Sequence, residues 1–106
     1  MDDLRTAKDL VLYVLQTNEQ ARNSDNVLYY HVLKKLGDRK GIDIEKMSIP
    51  HFFLHVKEYG FPNFETVRRT RQKFQQAYPE LRGSDDIEAM RALNEQRYRD
   101  FARRPI

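Results

Sequence analysis

The chain has 106 residues, of which 40% are hydrophobic and 33% charged, and it carries a formal net charge of +3 without any cysteine. This length predicts one domain over residues 1–106, and the lack of cysteine excludes disulfides and thiolate metal sites. No apolar stretch approaches the roughly 18 residues that a membrane span requires, and the acidic start is unlike a secretory leader. The sequence therefore predicts a cytoplasmic protein with no membrane partner.

The first third of the chain predicts two amphipathic helices. Acidic residues at the start are expected to cap a first helix that ends near Thr17. Residues 18–23 are polar and predict a loop. A second helix is expected to follow the capping residue Ser24 and to end at Gly37, because glycine favours the left-handed conformation that closes a helix.

A charged connection follows over residues 38–47. Ile42 and Ile44 are its only large apolar side chains before Met47. They fit either a very short strand or two anchors that hold the loop against the core. The anchors are favoured, because they need no strand partner.

Residues 48–78 predict a helix-turn-helix, with Ser48 as the first cap. Gly60 ends its first helix, Pro62 prevents continuation, and Asn63 caps the second helix, over residues 64–78. The apolar residues of the first helix recur at three- and four-residue spacing, which predicts one buried face. That face consists of Ile49, Phe52, Phe53 and Val56.

The helix over residues 64–78 has a basic outward side. At about 100° per residue, one broad arc is apolar and is expected to face the core. That arc holds Phe64, Val67, Thr70, Phe74, Ala77 and Tyr78. The outward positions are Arg68, Arg69, Gln72 and Gln76, with Arg71 and Lys73 on the flanks.

These six residues are the predicted DNA-binding site. Arginine reads guanine and glutamine reads adenine with paired hydrogen bonds in the major groove, and the remaining cations neutralise phosphates. The alternative is an ordinary solvated helix face. Glu65 is the only acid between Phe64 and Ala77, whereas a solvated helix more often mixes both signs. Double-stranded DNA is therefore the predicted partner, and a homodimer across two half-sites would add affinity.

A last helix is expected over residues 84–103, with Ser84 as its cap. Its apolar stripe consists of Ile87, Met90, Leu93, Tyr98 and Phe101. Arginines gather at its end, where they either complement the negative end of the helix dipole or extend a phosphate-contacting surface. The whole chain thus predicts an all-α bundle of about five helices.

No residue set predicts catalysis. His51 and His55 stand four residues apart, as zinc ligands do in metalloproteases, but the general base of HExxH is missing and no third ligand is evident. Glycine loops that hold phosphates are also absent. We therefore expect no enzyme, no catalytic residue, no metal and no cofactor.

Two resemblances accompany this interpretation. The short helix, the glycine turn and the run Thr66-Val67-Arg68-Arg69-Thr70-Arg71 resemble the turn and recognition helix of bacterial and phage repressors. The segments Ala21-Arg22-Asn23-Ser24-Asp25-Asn26, Phe64-Glu65-Thr66-Val67-Arg68-Arg69 and Tyr78-Pro79-Glu80-Leu81 resemble small, functionally unassigned proteins encoded in phage and prophage genomes.

The second resemblance implies a genomic setting rich in small DNA-binding regulators. It also implies an alternative, a helical protein-binding module or an inhibitor of a host protein that does not bind DNA. Such a module would use exposed apolar residues, namely Leu12, Tyr13, Val27 and Tyr30, or its arginines.

Overall fold

The computed structural model describes residues 7–103, with side chains up to residue 100. These residues form α-helices and two short 3-10 helices, and they contain no strand. The α-helices are α1 (Ala7–Thr17), α2 (Glu19–Asn23), α3 (Asp25–Lys40), α4 (Ile49–His55), α5 (Phe64–Ala77) and α6 (Asp85–Arg103). The 3-10 helices are Ile44–Lys46 and Pro79–Leu81. The predicted all-α bundle is confirmed, with the short α2 as the unexpected helix. The predicted cap of the first helix lies outside the described residues.

The core forms where α1, α3 and α5 meet. α1 and α3 supply most of it, because their aliphatic side chains recur at helical spacing. The buried apolar side chains are Leu10, Val11, Val14, Leu15, Ala21, Leu28, Val32, Leu33, Leu36, Phe61, Val67 and Leu81. Each fully buried leucine or valine contributes about 1.5–3 kcal/mol relative to an exposed one. α4, and α6 as far as residue 100, contribute no fully buried side chain to this core.

Two predicted boundaries are wrong for local reasons. Residues 19–23 of the predicted loop are helical, because the Asn18 side chain accepts a hydrogen bond from the Ala21 amide at 3.2 Å and caps α2. α3 continues past Gly37 to Lys40, since Gly41 is the residue in the left-handed conformation, at φ 71°. Gly37 is instead buried beneath the carbonyl of Ile42.

The connection after α3 is anchored as predicted. Ile42 and Ile44 are half-buried and pack against the core. A 3-10 turn follows, and the Asp43 side chain caps it by accepting from the Glu45 amide at 3.0 Å. The Lys34 ammonium bonds the Glu45 carboxylate at 2.6 Å, which fixes the turn to α3.

The helix pair differs from the expected helix-turn-helix in its turn. α4 begins after the cap Ser48 as predicted but ends at His55, so residues 56–63 separate it from α5. Gly60 does take a positive φ, at 75°. Phe52 packs against the core, whereas Ile49 and Phe53 are 72% and 69% exposed. The predicted buried face is therefore wrong for Ile49 and Phe53.

α6 starts at Asp85, close to the predicted position, and is described to Arg103. None of its side chains up to residue 100 is buried, and every residue from 92 to 100 is exposed. Its N-terminal end is tied to the body by polar contacts, such as the Ser84 amide donating to the Asn23 side chain at 2.8 Å. Met90, Leu93 and Tyr98 of the predicted apolar stripe are therefore exposed and Ile87 is half-buried, whereas the side chain of Phe101 lies outside the described residues.

Candidate nucleic-acid interface

The orientation of α5 is set at its first turn. The Asn63 side chain accepts a hydrogen bond from the Thr66 amide at 2.8 Å and caps the helix. The Phe64 ring meets the Tyr29 ring edge-on at 5.4 Å, and Val67 is buried in the core. These contacts turn one side of α5 inward and leave the opposite side at the surface.

Three of the six predicted DNA-binding residues lie on the open surface. The Arg69 side chain is 70% exposed, and Lys73 and Gln76 are also exposed. Arg68 and Gln72 are half-buried at the edge of the same face. The structure therefore keeps five of the six predicted residues together on the outward side of α5.

Glu65 binds both of the arginines that follow it. Its carboxylate accepts from the Arg68 guanidinium at 2.8 and 2.7 Å and from the Arg69 Nε at 3.0 Å. The hydrogen bond from Arg68, supported by the charges of both arginines, lowers the pKa of Glu65 from 4.5 to about 2. Two arginines that were expected to contact bases are thus already paired with a carboxylate.

Arg71 does not lie on an exposed flank, and the predicted placement is wrong. It is 5% exposed, and its Nε and Nη2 donate to the two carboxylate oxygens of Asp25 at 2.8 and 3.2 Å. Its Nη1 donates to the Gln75 Oε1 at 3.2 Å. Because all three groups on the guanidinium have protein partners, Arg71 holds α5 against the start of α3.

Arg71 belongs to a polar cluster that the sequence interpretation missed. Gln75 is 4% exposed, and its amide donates to the carbonyls of Leu81 at 2.8 Å and of Arg22 at 3.3 Å. Arg91 of α6 donates to the same Arg22 carbonyl at 2.9 Å. Burial lowers the pKa of Arg91, with the charge of Arg71 acting in the same direction. The available signal was spacing, since Arg71 and Gln75 follow the buried Val67 by four and eight residues.

α6 borders the outward side of α5 and forms a groove with it. The groove has a volume of 1080 Å³ and contains six arginines and four carboxylates among its lining residues. The Gln72 amide donates across it to the Glu95 carboxylate at 3.2 Å, and Arg99 bonds Glu95 at 3.5 Å. Gln72 therefore faces a neighbouring helix and not open solvent.

The histidine pair on α4 is held by hydrogen bonds. The His51 and His55 rings lie 4.4 Å apart. The His51 Nε2 lies 2.7 Å from the Tyr59 hydroxyl, and the His55 Nδ1 lies 2.9 Å from a Glu58 carboxylate oxygen. Among the residues that the structure describes, no group of three or more metal-binding side chains occurs.

The residues proposed for protein binding are partly withdrawn from the surface. Leu12 and Val27 pack against the core. Tyr13 lies beneath the Lys35 ammonium, which is 4.8 Å from the ring centre, and Tyr30 is 40% exposed. Among the described residues, the most exposed large apolar side chains lie elsewhere, on α4 and α6.

Comparisons with protein-family models, with curated proteins and with solved structures found no match. Within residues 7–103, no helix is both long and apolar enough to cross a membrane.

Proposed function

We propose that this chain is a small, non-enzymatic DNA-binding regulator of the phage or prophage type, acting in the cytoplasm. It contacts duplex DNA through the basic face, which we define as Arg69, Lys73 and Gln76 with the adjoining Arg68 and Gln72. The observation that carries the proposal is the one-sided exposure of Arg69, Lys73 and Gln76 along a helix that the core fixes in place.

The ion pairs of Glu65 do not prevent DNA binding. Both pairs join residues three or four apart on one helix, and the participating side chains are 33% to 70% exposed. Pairs of this kind are screened by solvent and contribute little to stability, so phosphate groups can replace them. Glu65 can also accept a hydrogen bond from cytosine when it enters a major groove.

The basic face has separable roles. On a specific site Lys73 neutralises phosphates, and Arg68, Arg69, Gln72 and Gln76 reach base edges. Arg71, whose donors are committed to Asp25 and Gln75, positions the helix and contributes no phosphate contact.

The proposal is tested by fluorescence anisotropy with a labelled duplex of random sequence at two salt concentrations. On a duplex of random sequence no base is read, so Arg68, Arg69 and Lys73 all meet phosphates, and affinity should fall roughly 40-fold between about 50 and 200 mM salt. Lys73→Ala should flatten the dependence of log affinity on log salt by about 0.9. Lys46→Ala is the matched control, because Lys46 is an exposed lysine on the distant 3-10 turn.

No binding at low salt, or equal losses in Lys73→Ala and Lys46→Ala, would contradict the proposal. If binding occurs, selection from a random pool gives the preferred site. On that site Arg69→Ala should cost roughly 1–3 kcal/mol, whereas Lys73→Ala should weaken all sequences equally.

A helical protein-binding module, or an inhibitor of a host protein, is the second candidate. It is favoured by α4, where Ile49, Phe53 and Leu54 are 69% to 77% exposed on one short helix. Contiguous exposed apolar side chains mark contact sites for proteins. In that case Leu54→Ala would abolish binding to the protein partner, while Lys73→Ala would leave that binding unchanged.

A further inference from the structure

The outer side of α6 carries an apolar pair with no partner in the described part of the chain. Met90 and Leu93 are 58% and 50% exposed. At about 100° per residue they lie opposite Glu88, Ala92 and Glu95, which line the groove against α5. α6 therefore has one side that lines the groove against α5 and a second side that faces away from it.

Charges flank this apolar pair in a self-complementary order. Asp86 lies four residues before Met90, and Arg97 lies four residues after Leu93. Both are exposed, and neither has an ion-pair partner among the described residues. The spacings of four, three and four residues are those of the contact stripe of a coiled coil.

We propose that α6 pairs antiparallel with α6 of a second copy of this chain. With the two-fold axis level with the midpoint between Met90 and Leu93, each Met90 packs against the second copy's Leu93. The same axis places each Asp86 opposite the second copy's Arg97. One register thus matches the apolar pair and both charges, as an isologous interface requires.

The charge order also selects the antiparallel direction. In a parallel pair, Asp86 would face another Asp86 and Arg97 another Arg97, which places like charges together. The antiparallel pair replaces both repulsions with attractions. A helix of 19 residues is about 28 Å long, so both ion pairs fit within the described helix.

The dimer is expected to be weak, because two apolar side chains per copy form a small interface. Contacts smaller than about 1,200 Å² belong to transient complexes. Sedimentation velocity between about 10 µM and 1 mM should therefore show a concentration-dependent monomer–dimer equilibrium. This inference does not depend on DNA binding, and the measurement contains no DNA.

Charge reversal provides the decisive test. Asp86→Arg and Arg97→Asp should each raise the dimer dissociation constant at least about tenfold, because both opposed pairs become repulsive. An equimolar mixture of the two variants should dimerise as the wild type does, since each opposed pair then joins a cation to an anion. The arginine of Asp86→Arg also opposes the helix dipole in the first turn of α6. Mixing would not reverse that loss of helix stability, so recovery in the mixture can come only from the restored ion pairs.

Leu93→Ala should weaken the dimer, and Tyr98→Ala is its control, because Tyr98 is 76% exposed on the side of α6 that lines the groove against α5. Circular dichroism confirms that each variant keeps its helices. A wild type that stays monomeric up to about 1 mM would overturn the proposal. A mixture that associates no better than its separate variants would overturn the antiparallel register.

Discussion

Arg69 and Arg71 stand two residues apart on α5, yet their substitution by alanine should have very different effects on stability. The Arg69 side chain is 70% exposed and pairs with a carboxylate that is 47% exposed. The Arg71 side chain is 6% exposed and pairs with Asp25, which is 21% exposed. The first pair remains largely hydrated in the folded state, whereas the second has lost most of its water.

The magnitude follows from what each substitution leaves behind. Arg71→Ala removes two bonds to Asp25 and one to Gln75, and it leaves the Asp25 carboxylate with Arg91 at 3.8 Å. Breaking a buried ion pair costs about 3–5 kcal/mol. Because Asp25 is partly exposed, Arg71→Ala should lower the free energy of unfolding by an amount near the lower end of that range, about 3 kcal/mol. Arg69→Ala should cost less than about 0.5 kcal/mol.

The assay is urea unfolding followed by circular dichroism. For a small domain, a loss of about 3 kcal/mol corresponds to a fall of roughly 1.5 M in the urea midpoint. A double-mutant cycle with Asp25→Asn should give a coupling energy above about 1.5 kcal/mol. If Arg71→Ala and Arg69→Ala lower the free energy of unfolding equally, the structural role assigned to Arg71 is refuted.

Two further predictions concern local contacts. The pKa of the Glu65 carboxyl, about 2 in the folded chain, should rise in Arg68→Ala by more than in Arg69→Ala, as measured by NMR titration. Because the folded pKa lies below the ordinary glutamate value of 4.5, the stabilisation from Glu65 is present above that value and is lost as pH falls towards 2. Gly37→Ala should destabilise the fold by roughly 1–3 kcal/mol in urea unfolding, although alanine is the better helix former. A Cβ atom there would lie 2.7 Å from the carbonyl oxygen of Ile42, and an unchanged midpoint would contradict this packing.

The helices of the core were predictable because their signals are local. Ser24, Ser48 and Asn63 each cap a helix through their own side chains, as their positions before apolar runs indicated. The core residues of α1 and α3 repeat at the period of the helix. A cap or a period is complete within a few residues of chain, so neither requires knowledge of the tertiary structure.

The inward side of α5 was misjudged because its deciding partner is distant in sequence. Asp25 is 46 residues from Arg71, and a helical wheel of α5 contains no information about it. Hydrophobicity alone placed Ala77 and Tyr78 inward, whereas the buried residues of α5 are Val67, Arg71 and Gln75. An arginine can be buried when a carboxylate and an amide meet its donors, and that condition depends on packing between helices.

The position of α6 is fixed by directional polar bonds, since none of its side chains up to residue 100 is buried in the core. Arg91 joins α6 to the Arg22 carbonyl, and the same carbonyl accepts from Gln75, which also bonds Arg71 of α5. α5 and α6 are therefore held in one arrangement by a shared set of acceptors. If the chain dimerises through α6, the two basic faces are related by the same two-fold axis. Their DNA half-sites would then form an inverted repeat with one spacing, which the Arg91 contacts would set.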